Sequence, residues 1–135
     1  MTRIAVDAMG GDHAPHEIVA GAVWAAQEYG VAIELVGKQD RIEQELDRIT
    51  HEGFYSDCGK AGKQYRIKID TSKLDIKITH ASEVIEMGEA PGQAIRKKKK
   101  SSIVLAVDAV AQGSSDAVVA AGSTGAACLL YTSPS

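Results

Sequence analysis

Asp7, Asp12 and His13 fall close together in the stretch Asp7-Ala8-Met9-Gly10-Gly11-Asp12-His13-Ala14-Pro15. Two carboxylates and an imidazole can take and return protons near neutral pH. The adjacent glycines let a backbone adopt conformations closed to other residues and leave room for a ligand. The same residues would also make a plain glycine turn closed by a capping aspartate, and both readings stand at this level. A second stretch, Ala121-Gly122-Ser123-Thr124-Gly125, puts two hydroxyls between glycines. Backbone N–H groups and hydroxyls in such a turn can face an anion at a helix start. The spacing of a P-loop is absent. A third stretch, Arg96-Lys97-Lys98-Lys99-Lys100, carries five consecutive cations. At about 100° per residue they sweep the whole circumference of a helix. Either the helix ends inside the run, or at least one lysine turns toward the protein or an anion.

The elements around these stretches alternate. Residues 3–7 read as a buried strand, and Pro15 opens a helix in which Ile18, Ala22, Ala25 and Tyr29 share a face with Val19, Val23 and Ala26. Gly30 stops it. Residues 32–36 are a second strand ending at Gly37. Asp40 with Glu43 suggests a capping box for a helix faced by Ile42, Leu46 and Ile49. Residues from about 53 to 73 break the pattern and read as an inserted loop or hairpin. The alternating runs Tyr65–Asp70 and Leu74–Thr79, about a short polar break, suggest an antiparallel hairpin. Pro91 then opens a third helix, Ser101 or Ser102 caps a fourth, and Gly113 ends it. Residues 116–120 are a last buried strand, leading through the second glycine turn to an apolar segment. The first glycine turn therefore ends a strand and opens a helix, and the second does the same. Strand–helix alternation predicts a parallel sheet with right-handed crossovers, with ligands at the carboxyl ends of its strands.

Composition narrows the classes. At 135 residues, 44% hydrophobic and 24% charged, the chain fits one soluble domain. Its formal charge of −3 excludes a globally basic nucleic-acid binder. Cys58 and Cys128 have no CxxC spacing, and His51 has no partner at ligand spacing, so neither a metal site nor a disulfide framework is indicated. No signal-peptide core or transmembrane-length run occurs, and a cytoplasmic location is expected.

In sequence order, Ile4–Pro15, His80-Ala81-Ser82-Glu83-Val84-Ile85-Glu86-Met87, Ala94–Lys99 with Ser101-Ser102, and Asp116–Ala126 resemble the PlsX family, the phosphate acyltransferases of bacterial phospholipid synthesis. The resemblance implies a three-layer α/β/α Rossmann-like fold related to phosphotransacetylases, with a mostly parallel sheet. It implies transfer of a long-chain acyl group from acyl carrier protein to inorganic phosphate, with no cofactor or metal. A homodimer and peripheral association with a membrane follow in the same way. Carried over by motif, Asp7, Asp12 and His13 are the expected catalytic groups. Gly10, Gly11, Lys98, Lys99, Gly122, Ser123, Thr124 and Gly125 are expected to bind phosphate or substrate. Position 123 is Ser where the family often has Asn, which keeps a hydrogen-bonding side chain. Family members are much longer, so residues 1–131 correspond to the N-terminal part of one domain, and 132–135 do not continue the pattern.

Two alternatives stay open. A phosphotransacetylase-like enzyme on small acyl thioesters shares the fold logic, and a non-catalytic anion-binding module needs only the glycine turns and the basic run. A dinucleotide-binding dehydrogenase is disfavoured, because no Gly-x-Gly-x-x-Gly follows the first strand.

Overall fold

The structure is a computed structural model that describes residues 2–56, 65–86 and 88–132. Arg3–Asp7 forms β1, flanked on both sides by parallel neighbours, β2 (Ala32–Gly37) and β6 (Ala117–Val119). The order is completed by β5 (Ile76–His80) on the far side of β2, giving β5-β2-β1-β6. Every residue of β2 is buried. That is why the central strands read as continuous rather than alternating apolar runs.

Both faces of the sheet are covered. Helices α1 (His16–Tyr29) and α2 (Gln39–His51) pack Val19, Val23, Ile42 and Ile49 onto Val6, Ile33 and Leu35. On the other face, α4 (Ser102–Ala111) sets Ala106 and Ala109 against Ala5 and Val36. Helices α3 (Pro91–Lys97) and α5 (Thr124–Thr132) join α4 through Ile85, Ala94, Ile103 and Ala126. This is the expected three-layer α/β/α arrangement, with a parallel sheet of four strands among the described residues. Gly30 closes α1 in the left-handed conformation (φ 66°) and donates its N–H to Ala26 O. His16 Nδ1 lies 2.8 Å from Glu45 Oε2 and ties α1 to α2.

Two local expectations are corrected. The run 74–79 is not the second arm of a hairpin. It supplies β5, paired in parallel with β2 from Ile33↔Ile76 to Gly37↔His80. The antiparallel pair is instead β3 (Phe54–Ser56) with β4 (Tyr65–Ile67). Alternation alone cannot distinguish a hairpin arm from an edge strand of a parallel sheet with one wet face, and β5 is that edge. The capping box also fails. Helix α2 starts at Gln39 with Lys38 as its N-cap and no side-chain cap, and Asp40 lies inside the first turn, accepting from Arg41 N at 2.9 Å. The loop expected around Gly59 and Gly62, with Cys58, lies outside the described residues, as do Met87 and the tail 133–135.

Two carboxylates of the sheet are buried, Asp7 at the end of β1 and Glu34 in β2. Glu34 accepts from Thr79 Oγ1 at 2.7 Å and from Ser115 Oγ at 2.8 Å. Burial pushes its carboxyl pKa up, but the Thr79 and Ser115 hydroxyls and the Lys77 charge outweigh that, so the net direction is down. Ser115 N also donates to Ala109 O at 3.0 Å, so Glu34 fastens the end of α4 to the sheet.

Candidate functional site

From β1 the chain winds outward through α1, β2, α2 and β5, then returns across the opposite face to lay β6 on the free side of β1. Strand order reverses between β1 and β6. A crevice for ligands opens at the carboxyl ends of such strands. Both glycine turns stand there. A β-carbon on Gly10 would lie 2.7 Å from Gly122 N, and one on Gly122 would lie 2.9 Å from Gly10 Cα. The two backbones touch, which only a pair of glycines allows. Gly11 takes φ 104° beside Ala121.

Ser123 caps α5. Its Oγ accepts from Ala126 N at 3.2 Å, and its carbonyl accepts from Ala127 N at 3.1 Å. The hydroxyl's acceptor capacity serves the cap, which leaves its proton to donate to a ligand. Gly125 packs flush against Pro91 at the start of α3, where an added β-carbon would fall 2.5 Å from Pro91 Cγ. Its visible work is helix packing. The Thr124 side chain lies outside the described residues.

Asp7 ends β1 with its side chain buried beneath the first turn, Oδ1 accepting from Met9 N at 3.1 Å. Burial pushes its carboxyl pKa up, against the restraint of the nearby Ser102 hydroxyl and of the Met9 and Gly10 amides. Ser102 is close enough to Asp7 to act on its charge but outside hydrogen-bonding geometry. Among the described residues the Oγ atoms of Ser101 and Ser102 are both buried without a hydrogen-bond partner. Asp12 and His13 do not join Asp7 under the turn. They are exposed on its outer side, where His13 O accepts from Glu17 N at 3.2 Å. Of the basic run, α3 takes Arg96 and Lys97 and then ends. Lys98 turns inward and donates to Val84 O and Glu89 Oε2, both at 2.9 Å. Lys99 is exposed. The run thus resolves in both of the ways its periodicity allowed.

The structure brings Asp7, Gly10, Gly11, Gly122 and Ser123 to one edge. Sequence reasoning passed over Ser101 and Ser102 as a helix cap. Ser101 is the N-cap residue of α4, yet its side chain makes no capping bond. It also passed over Lys38 and Arg41, which come beside the first turn only because α2 starts there. No local signal in the sequence marks them.

Glycine turns from neighbouring parallel strands, meeting where strand order reverses and backed by a helix start, define a Rossmann-like α/β protein. Within that class, the chain belongs to the fatty acid synthesis protein family, the PlsX family, whose profile matches residues 2–56 and 60–132. The match breaks only between residues 56 and 60 and so runs through most of the segment that reads as inserted. The chain is 51% identical over 126 residues to the phosphate acyltransferase of Desulforamulus reducens, covering 93% of this chain and 32% of that protein. It is 45% identical to the phosphate acyltransferase of Desulfitobacterium hafniense, covering 93% and 31%. Identity to that of Heliobacterium modesticaldum is 49%, covering 92% and 31%. The chain therefore spans about a third of the length of these relatives. Among the described residues no helix is long and apolar enough to cross a membrane.

Proposed function

We propose that this chain is the N-terminal part of an acyltransferase that moves a long-chain acyl group from acyl carrier protein to inorganic phosphate. A phosphate oxygen attacks the thioester carbonyl. The tetrahedral intermediate then expels the carrier's thiolate, which takes up a proton, and acyl phosphate is released. Such a reaction asks chiefly for positioning and for donors toward the developing oxyanion. The observation that carries the reading is the Gly10–Gly122 contact at the reversal of strand order, in a chain whose relatives are named phosphate acyltransferases.

In this reading the Gly10–Gly11 and Gly122–Ser123 turns offer backbone amides to phosphate or the reacting carbonyl, with the Ser123 proton and Thr124 beside them. Asp7, with its raised pKa, exchanges a proton beneath the turn, while Asp12 and His13 serve from the mouth of the site. Lys98 ties Val84 to Glu89 beside the site and Lys99 meets anions in solution. Residues 1–131 form one part of a single α/β domain. Homodimerisation, a cytoplasmic location and peripheral contact with a membrane belong to the same proposal.

The test is formation of acyl phosphate from long-chain acyl carrier protein and labelled phosphate, using this chain alone and a chain extended to the length of its relatives. Product in either supports the reading. No product in both overturns it and leaves an anion-binding module. A preference for short acyl-CoA over acyl carrier protein would assign the small-thioester chemistry instead.

A further inference from the structure

We propose that Lys38 and Arg41 form, with the first glycine turn, a second anion site that takes a phosphate group. Its cations lie on the β2 side of β1, and Gly11 is the residue it shares with the contact between the two turns. A cavity of about 320 Å³ opens there, lined by Met9 and Gly11 of the turn, Lys38 and Arg41 at the start of α2, and Val84 and Glu86 from the loop after β5. The volume suits a phosphate with its water, or a phosphate ester entering from solvent.

The charges favour an anion. The lining holds two cations against the single carboxylate of Glu86. Among the described residues neither Lys38 nor Arg41 is in an ion pair, whereas Lys98, one of the two lysines expected to bind substrate, is bound to Glu89. The cavity also sits at the positive end of α2, a helix of 13 residues. The N-cap residue Lys38 supplies no capping side chain, and the first-turn amides of Gln39 and Arg41 are taken by His80 and Asp40, so the two side-chain cations carry the site. His80 Nδ1 accepts from Gln39 N at 3.2 Å and fixes that end of α2 above β5. Arg41 brings a planar fork suited to two phosphate oxygens, and Lys38 a mobile point charge. The glycine at position 11, with its φ of 104°, leaves the turn's backbone open to the cavity. This site goes beyond the acyl-transfer reading and does not depend on it.

The shared chemistry is a phosphate group, supplied either free or as an ester on a larger substrate. The 135-residue chain would be titrated with inorganic phosphate and, separately, with methyl phosphate. Backbone amide shifts of Lys38 and Arg41 report this site, and those of Gly122 and Ser123 report the other turn. The expected result is saturable shifts at Lys38 and Arg41. Lys38→Gln or Arg41→Gln weakens them about tenfold each, as loss of one charge-assisted contact requires. Ser123→Ala leaves them unchanged. Glu86→Gln, which removes the opposing charge without touching the fold's core, tightens binding. Tighter binding of methyl phosphate identifies a substrate's phosphate, and tighter binding of inorganic phosphate identifies the free ion. Shifts confined to Gly122 and Ser123, or an affinity indifferent to Lys38 and Arg41, overturn this site while leaving the acyl-transfer reading standing. Shifts at Lys38 and Arg41, with no acyl phosphate formed by either this chain or the extended one, leave this site standing and sink the other.

Discussion

Replacing Gly10 by alanine tests whether the two glycine turns meet as described. The new methyl group would lie 2.7 Å from Gly122 N, 3.0 Å from Gly122 Cα and 3.0 Å from Asp7 Oδ2. Comfortable contact for carbon begins at about 3.5 Å, so the turns must part by roughly 1 Å. Two of these three atoms are backbone, held by the β1–β6 ladder and by α5, and they cannot swing aside as a side-chain tip would. Overpacking of this kind costs about 1–3 kcal/mol. At a central 2 kcal/mol, a domain of this size loses about 8 °C in Tm. The control is Gly21→Ala, on the exposed side of α1, where an added β-carbon meets nothing within 4 Å. There the helix gains roughly 0.5–1 kcal/mol, because alanine outranks glycine as a helix former. Trp24 is the single tryptophan, with its ring 6.0 Å from that of Phe54, so its fluorescence follows urea unfolding. Gly10→Ala should lower the midpoint with an unchanged slope, and Gly21→Ala should raise it. Because Gly122→Ala strains the same contact, the double variant should cost less than the two single costs combined. A Gly10→Ala protein as stable as the parent would refute the contact, and with it the site built on it.

Further outcomes follow from individual side chains. Burial raises the Asp7 pKa, so the folded state holds that proton more tightly than the unfolded one, and stability falls as pH rises from the ordinary aspartate range through the raised value. Asp7→Asn keeps an acceptor for Met9 N and should be more stable at neutral pH with that slope flattened; a destabilised variant would show that the charge is needed for folding. Glu34 has the opposite sign: its lowered pKa contributes stability above the ordinary glutamate range that is lost as pH falls through the folded value. Acid melts of Glu34→Gln should therefore lack this loss, and an unchanged acid transition would count against the Thr79 and Ser115 bonds. Lys98→Ala removes two 2.9 Å contacts between partly exposed groups and should cost about 1 kcal/mol, while Lys99→Ala should cost nothing measurable in the same urea titration.

The strand–helix alternation, the parallel sheet, the stop at Gly30 and both glycine turns were legible in the sequence, because each is set by local residue type and spacing. Apolar runs such as Ile4-Ala5-Val6 and Ala32–Val36 can be satisfied only by burial on two faces. Gly30, as a left-handed helix stop, needs no distant partner to be recognised. What spacing could not supply was the partner of each element. Leu74–Thr79 alternates like a hairpin arm, and its place beside β2 follows from the register of the whole sheet. Asp7, Asp12 and His13 look equivalent along the chain. Only the tertiary packing that sets Asp7 under the first turn, near Ser102 at the start of α4, buries the first and leaves the other two in solvent. Lys98 was one of five cations until folding brought Val84 and Glu89 against it. Lys38 and Arg41 were unmarked until α2 began beside Gly11. Local chemistry chose the elements, and the contacts between residues distant in the chain decided which side chains share the ligand edge.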